Sequence, residues 1–155
     1  MVVIDDAGRL INPMIVDGQI QGAAAQAIGQ ILLEELVYGD DGQLRTTTLA
    51  DYAIPIAGTV PRVDIGHRET PSPLLGGFRG AGEAAIVSGP AAIVNAIADA
   101  VAPLGVRITQ TNLSSSRLRG LLRDAGVSID PVAGRRFTRP RPPQHGADRL
   151  TASAT

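Results

Sequence analysis

Glu83 is the side chain best placed for chemistry. It closes the Gly-rich segment Gly76-Gly77-Phe78-Arg79-Gly80-Ala81-Gly82-Glu83, of which it is the only carboxylate, and it stands where an apolar helix begins. Glycines on either side let backbone N–H groups and a bulky ligand come near, and burial would raise the carboxyl toward the range of a general base. The alternative role is electrostatic, a first-turn Glu complementing the helix dipole. Arg79 can grip an anion through two parallel bonds or serve as a solvated charge tied to its own loop. Gly80 and Gly82 do not form a dinucleotide fingerprint, because no third Gly follows at the required spacing and no strand leads in. Ser72 and Ser88 lack a neighbouring base, which leaves a hydrolase triad unsupported. His67 falls in an alternating strand and reads as structural.

A second cluster is defined by what it lacks. Gly18, Gly22, Ala25 and Gly29 recur at spacings of four, three and four, which places them on one nearly bare face of a helix. Each mid-helix Gly costs roughly 1 kcal/mol relative to Ala, so the face implies a compensating contact, either a packed neighbouring element or a flat ligand. Gln19, Gln21, Gln26 and Gln30 flank it, and an amide both donates and accepts, which suits a heteroatom-rich ring.

The elements that must position these groups follow from the pattern. Val2-Val3-Ile4 predicts a strand, either the short edge of a small domain or part of a larger one, and Asp6-Ala7-Gly8-Arg9 a turn. Asn12 as N-cap and Pro13 at the first helical position open a helix expected to reach about Leu36, with Ile20, Ala24, Ala27, Ile28, Ile31 and Leu32 at helical spacing. Gly39-Asp40-Asp41-Gly42 predicts a turn before a Thr-rich strand from Gln43 to Leu49. Arg62 to Arg68 alternates as a half-buried strand does, and 69–83 is too rich in Gly and Pro for a regular element, a length of loop that is usually functional. Residues 84–102 predict a helix with Pro90 near its start, Ser88 a plausible cap and Ile93, Val94, Ile97 and Val101 on one face. A strand at Val106–Ile108 and a last helix from Ser114 to Ala125, stopped by Gly126, complete the set. The expected class is α+β, a small mixed or antiparallel sheet packed with about three helices, over residues 1–130. Residues 131–155, rich in Arg and Pro, read as a disordered tail.

Composition removes several chemistries. All 14 basic residues are Arg, which excludes a Schiff-base or phosphate-loop lysine, and the absence of Cys excludes thiolate nucleophiles, iron–sulfur ligation and disulfides within the chain. His67 and His145 are the only imidazoles, so no metal-ligand set is expected. The formal charge of -1 and the lack of any uninterrupted run of 18 apolar residues favour neither nucleic acid nor membrane as partner, and a cytoplasmic location is expected.

Four segments in order, Asp6 to Gly22 (DAGRLINPMIVDGQIQG), Asp51 to Pro55 (DYAIP), Thr70 to Pro73 (TPSP) and Gly80 to Ala84 (GAGEA), resemble consecutive signatures of the molybdenum hydroxylases. That family includes xanthine dehydrogenase, aldehyde oxidase and molybdenum carbon monoxide dehydrogenase. The resemblance covers roughly residues 2–127 and is to the C-terminal end of the large, molybdopterin-binding subunit. It implies a molybdenum–molybdopterin cofactor, with the cytosine dinucleotide form as one variant, held by hydrogen bonds from the protein. It implies Glu83 as the general base that helps deliver a water-derived oxygen to an electron-poor carbon of a small-molecule substrate, an aldehyde or N-heterocycle, or that serves carbon monoxide oxidation.

Gln19 corresponds to a pterin contact, and Gly18 and Gly22 then let the cofactor or its supporting loops lie close. Arg79 stands where family members often carry Lys, before the Gly80/Gly82 turn. The implied partners are the remaining large-subunit polypeptide, which holds most of the substrate pocket, and subunits carrying FAD and iron–sulfur clusters. A noncatalytic remnant that keeps the fold, or a small-ligand binding module using the glycine face, are the alternative expectations.

Overall fold

A computed structural model describes residues 1–129 and 137–138. Strand β1 (Val2–Asp5) leads through a tight turn into helix α1 (Pro13–Ile28), and after a long irregular segment strand β2 (Asp64–His67) returns beside β1. Helix α2 (Ala84–Val101), a short 3₁₀ turn (Ala102–Leu104) and helix α3 (Ser115–Asp124) follow, and β3 (Ser128–Ile129) pairs antiparallel with β4 (Phe137–Thr138). The α+β class and the three helices are as expected. The sheet at the site differs from the antiparallel expectation. β1 and β2 run parallel, with Val3 opposite Ile65 and Asp5 opposite His67, because α1 and the chain after it form the crossover that a parallel pair requires. The expected 131–155 tail lies, apart from Phe137 and Thr138, outside the described residues.

Helix α1 begins as its sequence dictates: the Asn12 side chain accepts from the Ile15 N–H at 3.3 Å and Pro13 opens the first turn. Its end is earlier than expected. Gly29–Leu33 widens into a π turn, closed by Glu34 N–H on the Gly29 carbonyl at 2.7 Å, and Glu34 is already extended. The Ile31 carbonyl accepts from Leu113 N–H at 2.8 Å, so the widened turn serves a neighbouring segment.

The core of the helix pair is made of Ala and Ile side chains. Ile20, Ala23, Ala24, Ala27 and Ile28 are buried on α1, and Ile31 in the π turn after it. The closest approach comes from a glycine that the pattern did not single out: a Cβ on Gly89 of α2 would lie 2.8 Å from the Ala27 Cβ. Ser88 is therefore inside α2, whose N-cap position is Glu83, and Pro90 sits in the first two turns without ending the helix. Gly105, in the left-handed region at φ 77°, turns the chain toward α3. Val101, Val106, Leu122 and Val127 form a second buried cluster there.

Two expected strands are absent. Gln43–Leu49 contributes a single bridge, Tyr38 to Leu44, beside the Gly39–Gly42 turn, and Val106–Ile108 packs Val106 into the core without a strand partner. By length and composition alone, Ala84–Leu104 is apolar enough to cross a bilayer. Asn95 and Asp99 interrupt its apolar run, and its Gly89 face packs on α1.

Candidate functional site

The β1–α1 turn is the platform on which the Gly-rich loop rests. Gly8, at φ 62°, has no room for a side chain, since a Cβ there would collide with the Gly77 carbonyl oxygen. Main-chain bonds fasten the two segments: Arg9 N–H to the Gly77 carbonyl at 3.0 Å and Arg79 N–H to the Ala7 carbonyl at 2.8 Å. Asp6 adds the side-chain layer. Its Oδ1 accepts from Gly8 N–H at 3.0 Å and from Thr70 N–H at 3.2 Å, and its Oδ2 accepts from the Thr70 hydroxyl. The Thr70 hydroxyl bond holds the Asp6 carboxyl below its ordinary value, against the opposing effect of desolvation; the Gly8 and Thr70 N–H groups and the Arg79 charge act in the same direction as the hydroxyl.

Arg79 is accounted for within the loop. Its Nη2 donates to the Pro71 carbonyl at 2.8 Å and its Nε lies 4.0 Å from Asp6 Oδ1, so it is tethered to its own loop. Ser72 likewise donates to the Phe78 carbonyl at 3.1 Å. His67 Nε2 meets Asp17 Oδ1 at 2.6 Å and ties β2 to the start of α1. Asp5 Oδ2, at the same end of the sheet, is buried with no hydrogen-bond partner among the described residues.

Glu83 is exposed at the N-cap position of α2, and its side chain makes no capping bond. Gly80 and Gly82 just before it are also exposed, with nothing within 4 Å of where a Cβ would stand. The bare face of α1 divides in two. Gly18 and Gly22 are exposed and face open space, with Gln19 and Gln21 beside them, whereas Gly29 is buried under Pro55 and Glu34. Among the described residues no neighbouring element compensates Gly18 and Gly22. Ala85 shares a buried cluster with Ile20 and Ala23, which sets the start of α2 beside the stretch of α1 that carries Gln19 and Gly22. A shallow recess of about 220 Å³ opens at the same end, lined by Arg9, Asn12, Ile15, Phe78 and Ala81 among others.

No cluster of three His, Asp or Glu side chains suited to a metal occurs among the described residues. The groups present are an amide that donates and accepts, open N–H donors and a carboxylate acceptor. Such a set fits a cofactor that brings its own metal ligands and needs hydrogen bonds from the protein.

Sequence reasoning missed Asp6, Thr70 and Gly89. Asp6 and Thr70 are 64 residues apart, and although each opens one of the family segments, nothing in the sequence pairs them.

The exposed hydrogen-bonding groups and the open helix face fit part of a cofactor-binding domain. Residues 1–61 match the family model of the molybdopterin cofactor-binding domain. The chain is 45% identical over 103 residues to the nicotine 6-hydroxylase large subunit of Paenarthrobacter nicotinovorans, a match covering 66% of this chain and 13% of that protein. It is 34% identical over 127 residues to the carbon monoxide dehydrogenase large chain of Afipia carboxidovorans, covering 81% and 16%. The crystal structure of quinoline 2-oxidoreductase from Pseudomonas putida 86 superimposes with a TM-score of 0.75 at 51% identity, over 79% of this chain and 16% of that one. The chain belongs to the molybdenum hydroxylase family, and it spans about one-sixth or less of the length of these relatives.

Proposed function

We propose that the chain supplies the base and one wall of the cofactor site to a molybdenum hydroxylase whose large subunit is completed by further polypeptide, and that the assembled enzyme hydroxylates an N-heteroaromatic ring with oxygen from water. The observation that carries this reading is the uncapped, exposed Glu83 at the start of α2, whose second residue, Ala85, packs on Ile20 and Ala23 of the helix that carries Gln19 and Gly22. The ring class is favoured over aldehydes and carbon monoxide by identities of 45% and 51% to proteins named for nicotine and quinoline, against 34% to one named for carbon monoxide.

In this reading Gln19 donates to and accepts from the pterin's heteroatoms, and the missing side chains of Gly18 and Gly22 let its flat rings approach. The N–H groups of Gly80 and Gly82 face the same region. The molybdenum–pterin group, when bound, supplies the two-electron redox chemistry. Glu83 accepts at a carboxylate oxygen the proton given up as water-derived oxygen attacks the electron-poor carbon. The cytosine dinucleotide form of the cofactor, and FAD and iron–sulfur clusters on partner subunits to carry electrons away, belong to the same proposal.

Exposed apolar surface supports a completing polypeptide. Val2 and Ile4 on the outer face of the parallel pair, Ile11 and Ile15 at the recess, Met14 in the first turn of α1, Leu74 and Leu75 in the loop before Glu83 and Val87 in the first turn of α2 are all largely solvent-facing. Co-expression with that polypeptide and with flavin and iron–sulfur subunits, followed by molybdenum and pterin analysis and a quinoline hydroxylation assay, tests the reading. Molybdenum retained only by the complete assembly, with turnover, is expected. An assembly that forms but holds neither metal nor pterin contradicts it.

A further inference from the structure

The Glu83 loop has two anchors. One is helix α2, whose second residue, Ala85, is buried against Ile20 and Ala23. The other is the β1–α1 turn, to which Arg79 is bonded through both its main chain and its side chain. Glu83 is four positions beyond Arg79, a reach of at most about 14 Å, and two of the intervening three residues are glycines with no side-chain packing to hold them. Whatever fixes Arg79 therefore limits where Glu83 can be.

We propose that Asp6 is a positioning residue for Glu83, and that with Thr70 it forms a carboxylate–hydroxyl clasp holding both ends of the 70–79 loop against the β1–α1 turn. The geometry is selective for a carboxylate. Oδ1 accepts two N–H groups, one from each segment, Oδ2 takes the Thr70 hydroxyl, and the net charge faces Arg79. Thr70 precedes Pro71, whose carbonyl receives Arg79 Nη2, so the entry to the loop, its exit and the turn beneath meet at one carboxyl group. Asn at position 6 keeps the Oδ1 acceptor and loses the charge; Ala loses every bond. The role deepens the proposed function, on which its catalytic consequence rests, while the clasp is measurable without turnover.

Hydrogen exchange on the full chain, alone and in the complemented assembly, reads the loop directly. In Asp6→Ala and Thr70→Val, the hydrogen-bonded loop amides of Gly77 and Arg79 should exchange roughly tenfold faster or more, with Asp6→Asn between them and the unsubstituted chain, and with α3 unchanged. In the assembly, Asp6→Ala should lower kcat with KM and molybdenum content near those of the unsubstituted enzyme, and Asp6→Asn should restore part of the loss. Unchanged exchange at Gly77 and Arg79 in both Asp6→Ala and Thr70→Val overturns the clasp whatever the activity. Faster exchange with undiminished kcat overturns the positioning role and leaves the proposed function standing. An unsubstituted assembly without turnover defeats the proposed function, and exchange at Gly77 and Arg79 still decides the clasp.

Discussion

The two ends of α2 are finished to different degrees. At the C-terminal end Val101 meets Val106, Leu122 and Val127, with Ile97, Leu104, Leu118 and Leu121 packed around them, so the chain buries this end with its own residues. Ser114 and Arg117 close the periphery by donating to Glu35 at 3.0 and 2.6 Å. At the N-terminal end Ile20, Ala23 and Ala85 are buried with Val3, Val16, Ile65 and Ile86 packed against them, but Val87 on α2 is 82% exposed and Leu75 in the loop before it 94%. The closed end stabilises the fold. The open end carries Glu83, the bare face of α1 and the recess, and it has the character of a surface awaiting cover.

The contrast is broken most severely by truncating the closed end. Leu122→Ala should cost about 2–5 kcal/mol of unfolding free energy in urea titrations, because the lost methyls leave a cavity among fixed neighbours. A loss below about 0.5 kcal/mol would mean that this cluster is loosely packed in solution.

Two glycines sharpen it next. Gly89→Val should destabilise by about 1–3 kcal/mol through collision with Ala27. Gly22→Ala should stabilise the isolated chain by about 0.5–1 kcal/mol, since its new methyl meets nothing, and should lower pterin retention in the assembly. Equal effects of the two substitutions on stability would erase the distinction between the packed and the bare helix face.

The smallest effects are electrostatic. The folded carboxyl of Asp6 lies below its ordinary value of 3.8, so its contribution is fully present above about pH 3.8 and is lost as pH falls through the depressed value. Loop exchange should rise only in that acid range, and a rise already complete at pH 5 would contradict the clasp. Tyr52 behaves oppositely. Its hydroxyl donates to Glu34 at 2.6 Å and this bond raises its pKa above 10.0, so its contribution holds below pH 10 and disappears as pH climbs through the raised value, which an ultraviolet titration detects.

The parts legible in the sequence were those set by local rules. Asn12-Pro13 marks the start of α1, and the Ala and Ile spacing marks its buried stripe, because capping and periodicity act within a few residues. Long-range partnerships were not legible. Nothing near Asp6 announces Thr70, and the parallel pairing of β1 with β2 depends on a crossover of about sixty residues. The π turn at Gly29 follows from a demand made by Leu113, far along the chain. At the site, the family signatures drew attention to Gln19, Gly80, Gly82 and Glu83, but the division of the glycine stripe into an open half and a half covered by Pro55 required coordinates. The strand expected at Val106–Ile108 failed because an apolar run fits a core-packed loop as well as a strand when no neighbour offers a ladder.

Glu83→Gln in the complemented enzyme bears most directly on the central claim, since the substitution keeps size and hydrogen bonding while removing the basic oxygen. With molybdenum and pterin contents matched to the unsubstituted enzyme, kcat for quinoline hydroxylation should fall about 10²–10⁴-fold. Turnover within twofold of the unsubstituted enzyme would show that the proton is taken elsewhere.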